Sequence, residues 1–276
     1  MENNKFPKIS VWITSTGRYD LVRKDIESFV KYNTYPNWQF IIFESVPTKE
    51  SLKYYNTHLL KSDESIEYLK TVKNVKRLFI EPWPPWGKVC QTLLDATDTE
   101  YFINLEDDWV TIYDPREWFI EVIALLKSRE ELYGITGNLQ RPEFNEKWPG
   151  WSHPKYSGGV VNDGKFYYGY GSLVSLGGML SKTVVARSVG FPTDHPISAG
   201  NIKVAGNPEG QFGDRILNAG YRGGRLFNWH GWFCSQNTFS VGGYDPKGAK
   251  HVKLQAKMIE QGKVCLLYTS PSPRDS

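Results

Sequence analysis

Cysteine is scarce in this 276-residue chain, which carries only Cys90, Cys234 and Cys265. Their spacing gives neither a metal-ligand pattern nor a disulfide framework, so a reducing compartment is expected. Long hydrophobic runs are also missing. No stretch approaches the ~18 apolar residues of a membrane span. Met1-Glu2-Asn3-Asn4-Lys5 leads into a strand without an apolar signal region. A cytoplasmic protein with no membrane segment is therefore expected. Charge of one sign is not in excess either. The net charge of +3 is too small to argue for a nucleic-acid or anionic-membrane partner, and no nucleic acid is expected. No internal repeat is visible, and no linker separates two independent domains.

What is present is a globular composition, with 40% hydrophobic and 23% charged residues, long enough for one large domain or two small ones. Aromatics are abundant, at 10 Trp, 16 Tyr and 14 Phe. Such rings stack on sugars and bases, and they also fill cores. The tail from Cys265 to Asp275 resembles the translation of a transposase-type sequencing adapter. Residues 265–276 are set aside as a non-native tail, and native sequence is expected to end near Val264.

The chain is organised around Glu100-Tyr101-Phe102-Ile103-Asn104-Leu105-Glu106-Asp107-Asp108-Trp109. Tyr101 to Leu105 predicts a short buried strand, and three carboxylates follow it in a row. Crowded at a buried strand end, they repel one another and lose hydration. A hard divalent cation such as Mn²⁺ or Mg²⁺ offsets that, because it takes oxygen ligands. The competing reading is a solvated acidic turn ahead of the helix that Asp114-Pro115 opens.

Taken in order, Ile9 to Thr14 predicts a first strand. A helix follows, N-capped by Asp20, with Leu21, Val22, Ile26, Phe29 and Val30 on one face. Trp38 to Glu44 predicts a second strand, Lys49 to Val72 a helical region, and Val75 to Ile80 a third strand. Gly87 to Ala96 predicts a helix before the fourth strand. This alternation implies right-handed crossovers and an α/β fold with a mostly parallel sheet flanked by helices. Ligands of such sheets bind beyond the carboxyl ends of the strands. Four polar strand ends should converge there: Ser15-Thr16-Gly17-Arg18, Glu44-Ser45, Glu81 to Trp86, and Glu106-Asp107-Asp108. Residues 1–109 thus read as a nucleotide-binding half.

The second half is less regular. A helix from Asp114-Pro115 should bury Trp118, Phe119, Val122, Ile123 and Leu126, and Ile135 to Asn138 reads as a strand. Arg141 to Gly171, rich in Gly, Pro and aromatics, reads as an acceptor-facing loop. Leu173 to Leu180 is strand-like, and Thr183 to Ser188 begins a helix. Glu209 to Ala219 predicts a helix with Gly220 as its C-cap, and Leu226 to Trp232 a strand carrying His230.

Together these motifs resemble the GT-A glycosyltransferases, especially their family-two-like inverting enzymes. Ile13 to Arg18 with the helix Asp20–Val30 is similar to their first strand, nucleotide loop and helix. Glu44 falls where the family usually has an aspartate contacting the base. Glu106-Asp107-Asp108 resembles a variant of their "DxD" strand end. Ser175-Leu176-Gly177-Gly178-Met179 with Val189-Gly190-Phe191 resembles the acceptor-half signature, and Glu209 to Arg222 the helix that begins with the catalytic base. The resemblance spans residues 9–232. It implies a single GT-A (Rossmann-like) domain over 1–264, with a nucleotide-sugar-binding half (1–109) and an acceptor and catalytic-base half (110–264).

The activity implied is transfer of a sugar from a nucleotide-diphosphate donor, with UDP-sugar favoured, to a hydroxyl of a carbohydrate or glycoconjugate acceptor, with inversion. A carboxylate-held Mn²⁺ or Mg²⁺ would neutralise the leaving diphosphate. The resemblance gives Asp108 and Glu106 to the cation, with His230 completing its shell or else serving as a stacked core histidine. Glu209, held ionised by a helix N-terminus, is the favoured base over Asp214. Thr14, Ser15, Arg18, Glu44, Lys88, Glu106 and Asp107 are the expected donor contacts, although Arg18 and Lys88 also read as surface charges. Trp148 and Trp151 suit sugar stacking, and Trp83 and Trp86 suit a wall of the donor pocket. Two other readings stand beside this one. One is a nucleotidyltransferase, for which Ser15-Thr16-Gly17-Arg18 is a poor glycine-rich loop. The other is a decayed carbohydrate-binding protein, suggested by Pro208-Glu209 in place of an aspartate pair.

Overall fold

The computed structural model describes residues 6–49, 60–107, 109–137, 159–171, 174, 176–193, 208–226 and 233–235. The first half alternates strand and helix: β1 (Ile9–Ser15), α1 (Tyr19–Tyr32), β2 (Trp38–Val46), α2 (Ser62–Thr71), β3 (Val75–Pro82), α3 (Trp86–Ala96) and β4 (Tyr101–Glu106). The second contains β5 (Trp109–Thr111), α4 (Arg116–Ser128), β6 (Leu132–Thr136), β7 (Gly159–Asn162) and β8 (Tyr167–Gly171). It continues through β9 (Met179–Lys182), α5 (Thr183–Val189), α6 (Pro208–Asn218), β10 (Arg222–Leu226) and β11 (Phe233–Ser235).

One nine-stranded sheet runs through both halves in the order β3-β2-β1-β4-β9-β6-β10-β8-β7. The expected mostly parallel sheet is present. Only β9 and β8 run against the common direction, through the antiparallel pairs β4·β9, β6·β9, β10·β8 and β7·β8. Strand β1 is buried along its whole length, as a central strand covered on both faces must be.

The alternation of side chains along each strand divides the core in two. Ile103 and Leu105 of β4 face α1 and α4, among Val22, Ile26, Phe29, Trp118 and Phe119. Phe102 faces the other way, among α3, α5 and α6, where Val89, Cys90, Leu93, Ala186, Phe212 and Ile216 pack. Trp12 stacks on Phe102, and Phe191 on Phe212, each pair with ring centroids 4.0 Å apart.

Several expectations change in detail. Helix α1 starts at Tyr19, so Asp20 sits inside its first turn, and Val30 is exposed while Asp25 points inward. The expected loop of 141–171 contains the β7–β8 hairpin, turned at Gly164 with φ +82°. The strand expected at Leu226 to Trp232 begins earlier, at Arg222. Its Gly224 lies where a Cβ would stand 2.9 Å from both the Gly169 carbonyl and Ile135 Cδ1, so close strand packing removed the apolar signal. No helix among the described residues is long and apolar enough to cross a membrane.

Candidate active site

The parallel register of β3, β2, β1 and β4 brings the four polar strand ends to one edge. Glu106 pairs with Thr14, Ser15 with Glu44, and Ser45 with Glu81. The chain leaves β4 by a sharp turn, and the Asp107 N–H donates to the Thr14 carbonyl at 3.1 Å.

Glu44 is fully buried. One of its carboxylate oxygens accepts the Gly17 N–H, and the other accepts the Ser65 hydroxyl of α2 at 3.1 Å. Burial pushes this carboxyl up to about 7, assisted by the nearby Asp107 charge and opposed by the Ser15, Gly17 and Ser65 donors. Arg18 turns towards β4 rather than outward. Its Nε donates to Asp107 Oδ2 at 2.9 Å, and a second guanidinium nitrogen engages Oδ1. Two of the residues expected as donor contacts, Arg18 and Asp107, therefore pair with each other. Lys88, near the start of α3, faces Glu81 with 3.6 Å between Nζ and the carboxylate.

Glu106 lies on the same face of β4 as Phe102 and Asn104, towards α3 and α6. Glu209 stands in the first turn of α6, where the helix dipole favours an anion, and Oε1 accepts the Leu176 N–H at 2.9 Å. The neighbouring Gly177 bridges to Asn104, and a Cβ on it would lie 3.4 Å from Glu106 Oε1 and 3.2 Å from the Trp109 ring. Consecutive residues thus touch the two acids. Burial, and then the charges of Glu209 and Glu106, raise the Cys90 thiol well above its ordinary value, so one buried thiol feels both carboxylates. Asp214, one turn further along α6, is exposed.

Asp108, Trp148, Trp151 and His230 lie outside the described residues. Strand β11, shortly after His230 in sequence, pairs antiparallel with β5, directly after the acidic run. Among the described residues no three His, Cys, Asp or Glu side chains gather as metal ligands. Trp86 packs partly against the core on the α3 side.

Sequence reasoning did not find Ser65 as part of this edge, and it read Leu176 and Gly177 only within an acceptor-half signature, not as contacts of Glu209 and Glu106. A hydroxyl on a charged helix and a backbone donor carry no sequence signal, whereas the glycine pair at 177–178 does mark a close backbone approach.

No protein-family profile matches the chain, and no curated protein matches it. Solved structures do. TarS 1–349 of S. aureus superimposes with a TM-score of 0.54 at 11% identity, covering 84% of this chain and 61% of that one. A mannosyltransferase from Pyrobaculum calidifontis, in complex with GDP-Man and Mn²⁺, gives 0.53 at 14% identity, covering 79% of this chain and 54% of its own. TarS 1–349 in complex with UDP-GlcNAc gives 0.51 at 12% identity, with 83% and 58% covered. This chain has the fold of these glycosyltransferases, and it matches about three-fifths of the length of the first.

Proposed function

We propose that this protein is a glycosyltransferase that moves a sugar from a nucleotide-diphosphate donor to a hydroxyl acceptor with inversion. One observation carries the reading. On a fold shared with UDP-sugar- and GDP-sugar-bound transferases, an acidic strand end and a helix-N-terminal carboxylate lie against adjacent residues, Gly177 and Leu176. An inverting transfer needs two groups in this relation: one region to receive the departing diphosphate and one base on the opposite face of the sugar.

Glu209 is the base in this proposal. It takes the proton of the acceptor hydroxyl as that oxygen bonds to the anomeric carbon, and the diphosphate leaves with the electrons of the broken bond. Asp214 is exposed, whereas Glu209 is oriented by its contact with the Leu176 N–H. Glu106 and Asp108 are hard oxygen donors at the strand end, a set that suits Mn²⁺ or Mg²⁺, and they would hold the cation. Bound there, a cation would supply charge neutralisation to the leaving diphosphate.

Thermal unfolding with UDP or GDP, each with Mn²⁺ or EDTA, tests the reading. A nucleotide at a hundredfold excess over its Kd should stabilise the fold by roughly 2.7 kcal/mol, and only with Mn²⁺. Glu209→Gln should keep that stabilisation and lose transfer by about a hundredfold or more. No shift with either nucleotide in a folded sample would sink the proposal. Binding without transfer in the wild type would favour the decayed carbohydrate-binding reading.

A further inference from the structure

The loop between β1 and α1 is fastened on several sides. Gly17 adopts φ +69°, its carbonyl accepts the Lys61 N–H at 2.7 Å, and its own N–H is held by Glu44. A Cβ at this position would lie 2.5 Å from Ser62 Oγ, so α2 closes directly over it. The next residue reaches the opposite way. Arg18 crosses to β4 and grips both oxygens of Asp107, whose backbone N–H returns to Thr14 at the end of β1. The Asp107 side chain is 1% exposed and that of Arg18 16%.

A guanidinium in a two-pronged contact with a buried carboxylate has its charge matched and its planar fork committed. Turning Arg18 towards a diphosphate would break both of its contacts with a buried carboxylate, which is strongly unfavourable. Asp107 in turn has little call on a cation while Arg18 neutralises it.

We propose that Arg18 and Asp107 are positioning residues that act as one unit: they lock the β1 loop to the acidic strand end and leave the donor and its cation to Glu106 and Asp108. This rests on the transferase reading for its ligand, though not for its mechanics. It removes one positively and one negatively charged residue from the donor contacts that their sequence positions suggest. It also explains why a run of three acids can end a buried strand, since the middle one carries its own counterion.

The test compares Arg18→Ala, Asp107→Asn and the double variant Arg18→Met/Asp107→Leu with the wild type. Each is followed by thermal unfolding without ligand and by UDP titration with Mn²⁺. Each single variant should lower the unfolding midpoint and weaken UDP–Mn²⁺ binding about tenfold, because a partner is left stranded or the loop released. The double variant should recover the midpoint and bind within about threefold of wild type, since an apolar pair strands no charge. A double variant that recovers its midpoint yet binds no better than the weaker single would overturn the proposal, because a direct ligand contact would then have been lost. Midpoint losses that add would overturn it as well, because the two residues would not be a unit. If the wild type binds neither UDP nor GDP, the transferase reading fails. The midpoints then decide alone, with recovery sustaining the unit and addition overturning it.

Discussion

At the scale of single residues, Glu44 shows how burial changes the chemistry of a carboxyl at the strand edge. Its carboxyl has no exposed surface, and its ordinary value of 4.5 rises to about 7 chiefly through loss of hydration. The folded protein therefore holds a proton that the unfolded chain releases between those two values. Stability from this group is fully present below pH 4.5 and is lost as pH rises through about 7. Glutamine reproduces the protonated form: its carbonyl can accept from Gly17 and its amide can face Ser65. Glu44→Gln should flatten the fall of stability over this window, by on the order of 3 kcal/mol relative to wild type. Urea unfolding of both proteins at several pH values measures it. Parallel curves would mean that Glu44 is ionised in the fold. Asn104 poses a different residue-scale question, because its buried side-chain amide has no hydrogen-bond partner among the described residues. Asn104→Leu should raise stability by about 1 kcal/mol, since the stranded amide is removed and the shape nearly kept. A loss of stability measured by the same titration would show that the amide has a partner, such as an internal water.

At the scale of elements, legibility followed hydrophobic runs. Strands β1, β2 and β4 are apolar stretches bounded by polar turns, and the sequence shows them and their carboxyl-end residues directly. Strands β7, β8 and β10 are four or five residues long and each contains glycine, so none carries a long apolar run to read, although Asp163-Gly164 is a recognisable hairpin signal. The strand-end positions were legible, but their pairings were not. Nothing local announces that Arg18 will meet Asp107, 89 residues away, because that contact depends on β1 and β4 lying side by side. Gly224 gives this scale its test. A side chain there meets the Gly169 carbonyl on one side and Ile135 on the other, both at 2.9 Å. Gly224→Val should destabilise the protein by about 2–4 kcal/mol through forced separation of β10 from β8 and β6. The corresponding change at Gly164, where nothing lies within 4 Å but φ is +82°, should act through backbone strain alone and cost about 1–2 kcal/mol. Equal losses at the two sites would mean that sheet packing at Gly224 yields more readily than its geometry implies.

At the scale of the whole molecule, the two halves read from the sequence do not correspond to two cores. Strand β9, from the second half, lies between β4 and β6 and pairs with both, so the sheet has no seam there. The core on the α3 side joins Trp12, Ile41 and Phe43 to Phe191, Phe212 and Ile216. The acidic strand end belongs to one half and Glu209 to the other, and this shared core fixes their relation. Weakening it should loosen both together. Phe212, fully buried and stacked on Phe191, is the place to do so. Phe212→Ala should destabilise by about 3–5 kcal/mol while leaving one transition, with far-ultraviolet circular dichroism and tryptophan fluorescence still coincident. It should also weaken the nucleotide binding proposed above, although Phe212 is buried within the core, because the Phe102 face of β4, which carries Glu106, loses its packing. Two separated transitions, the first silent in nucleotide binding, would instead assign the nucleotide site to an independently folding first half. The continuous sheet would then be a docking of two units rather than one cooperative body.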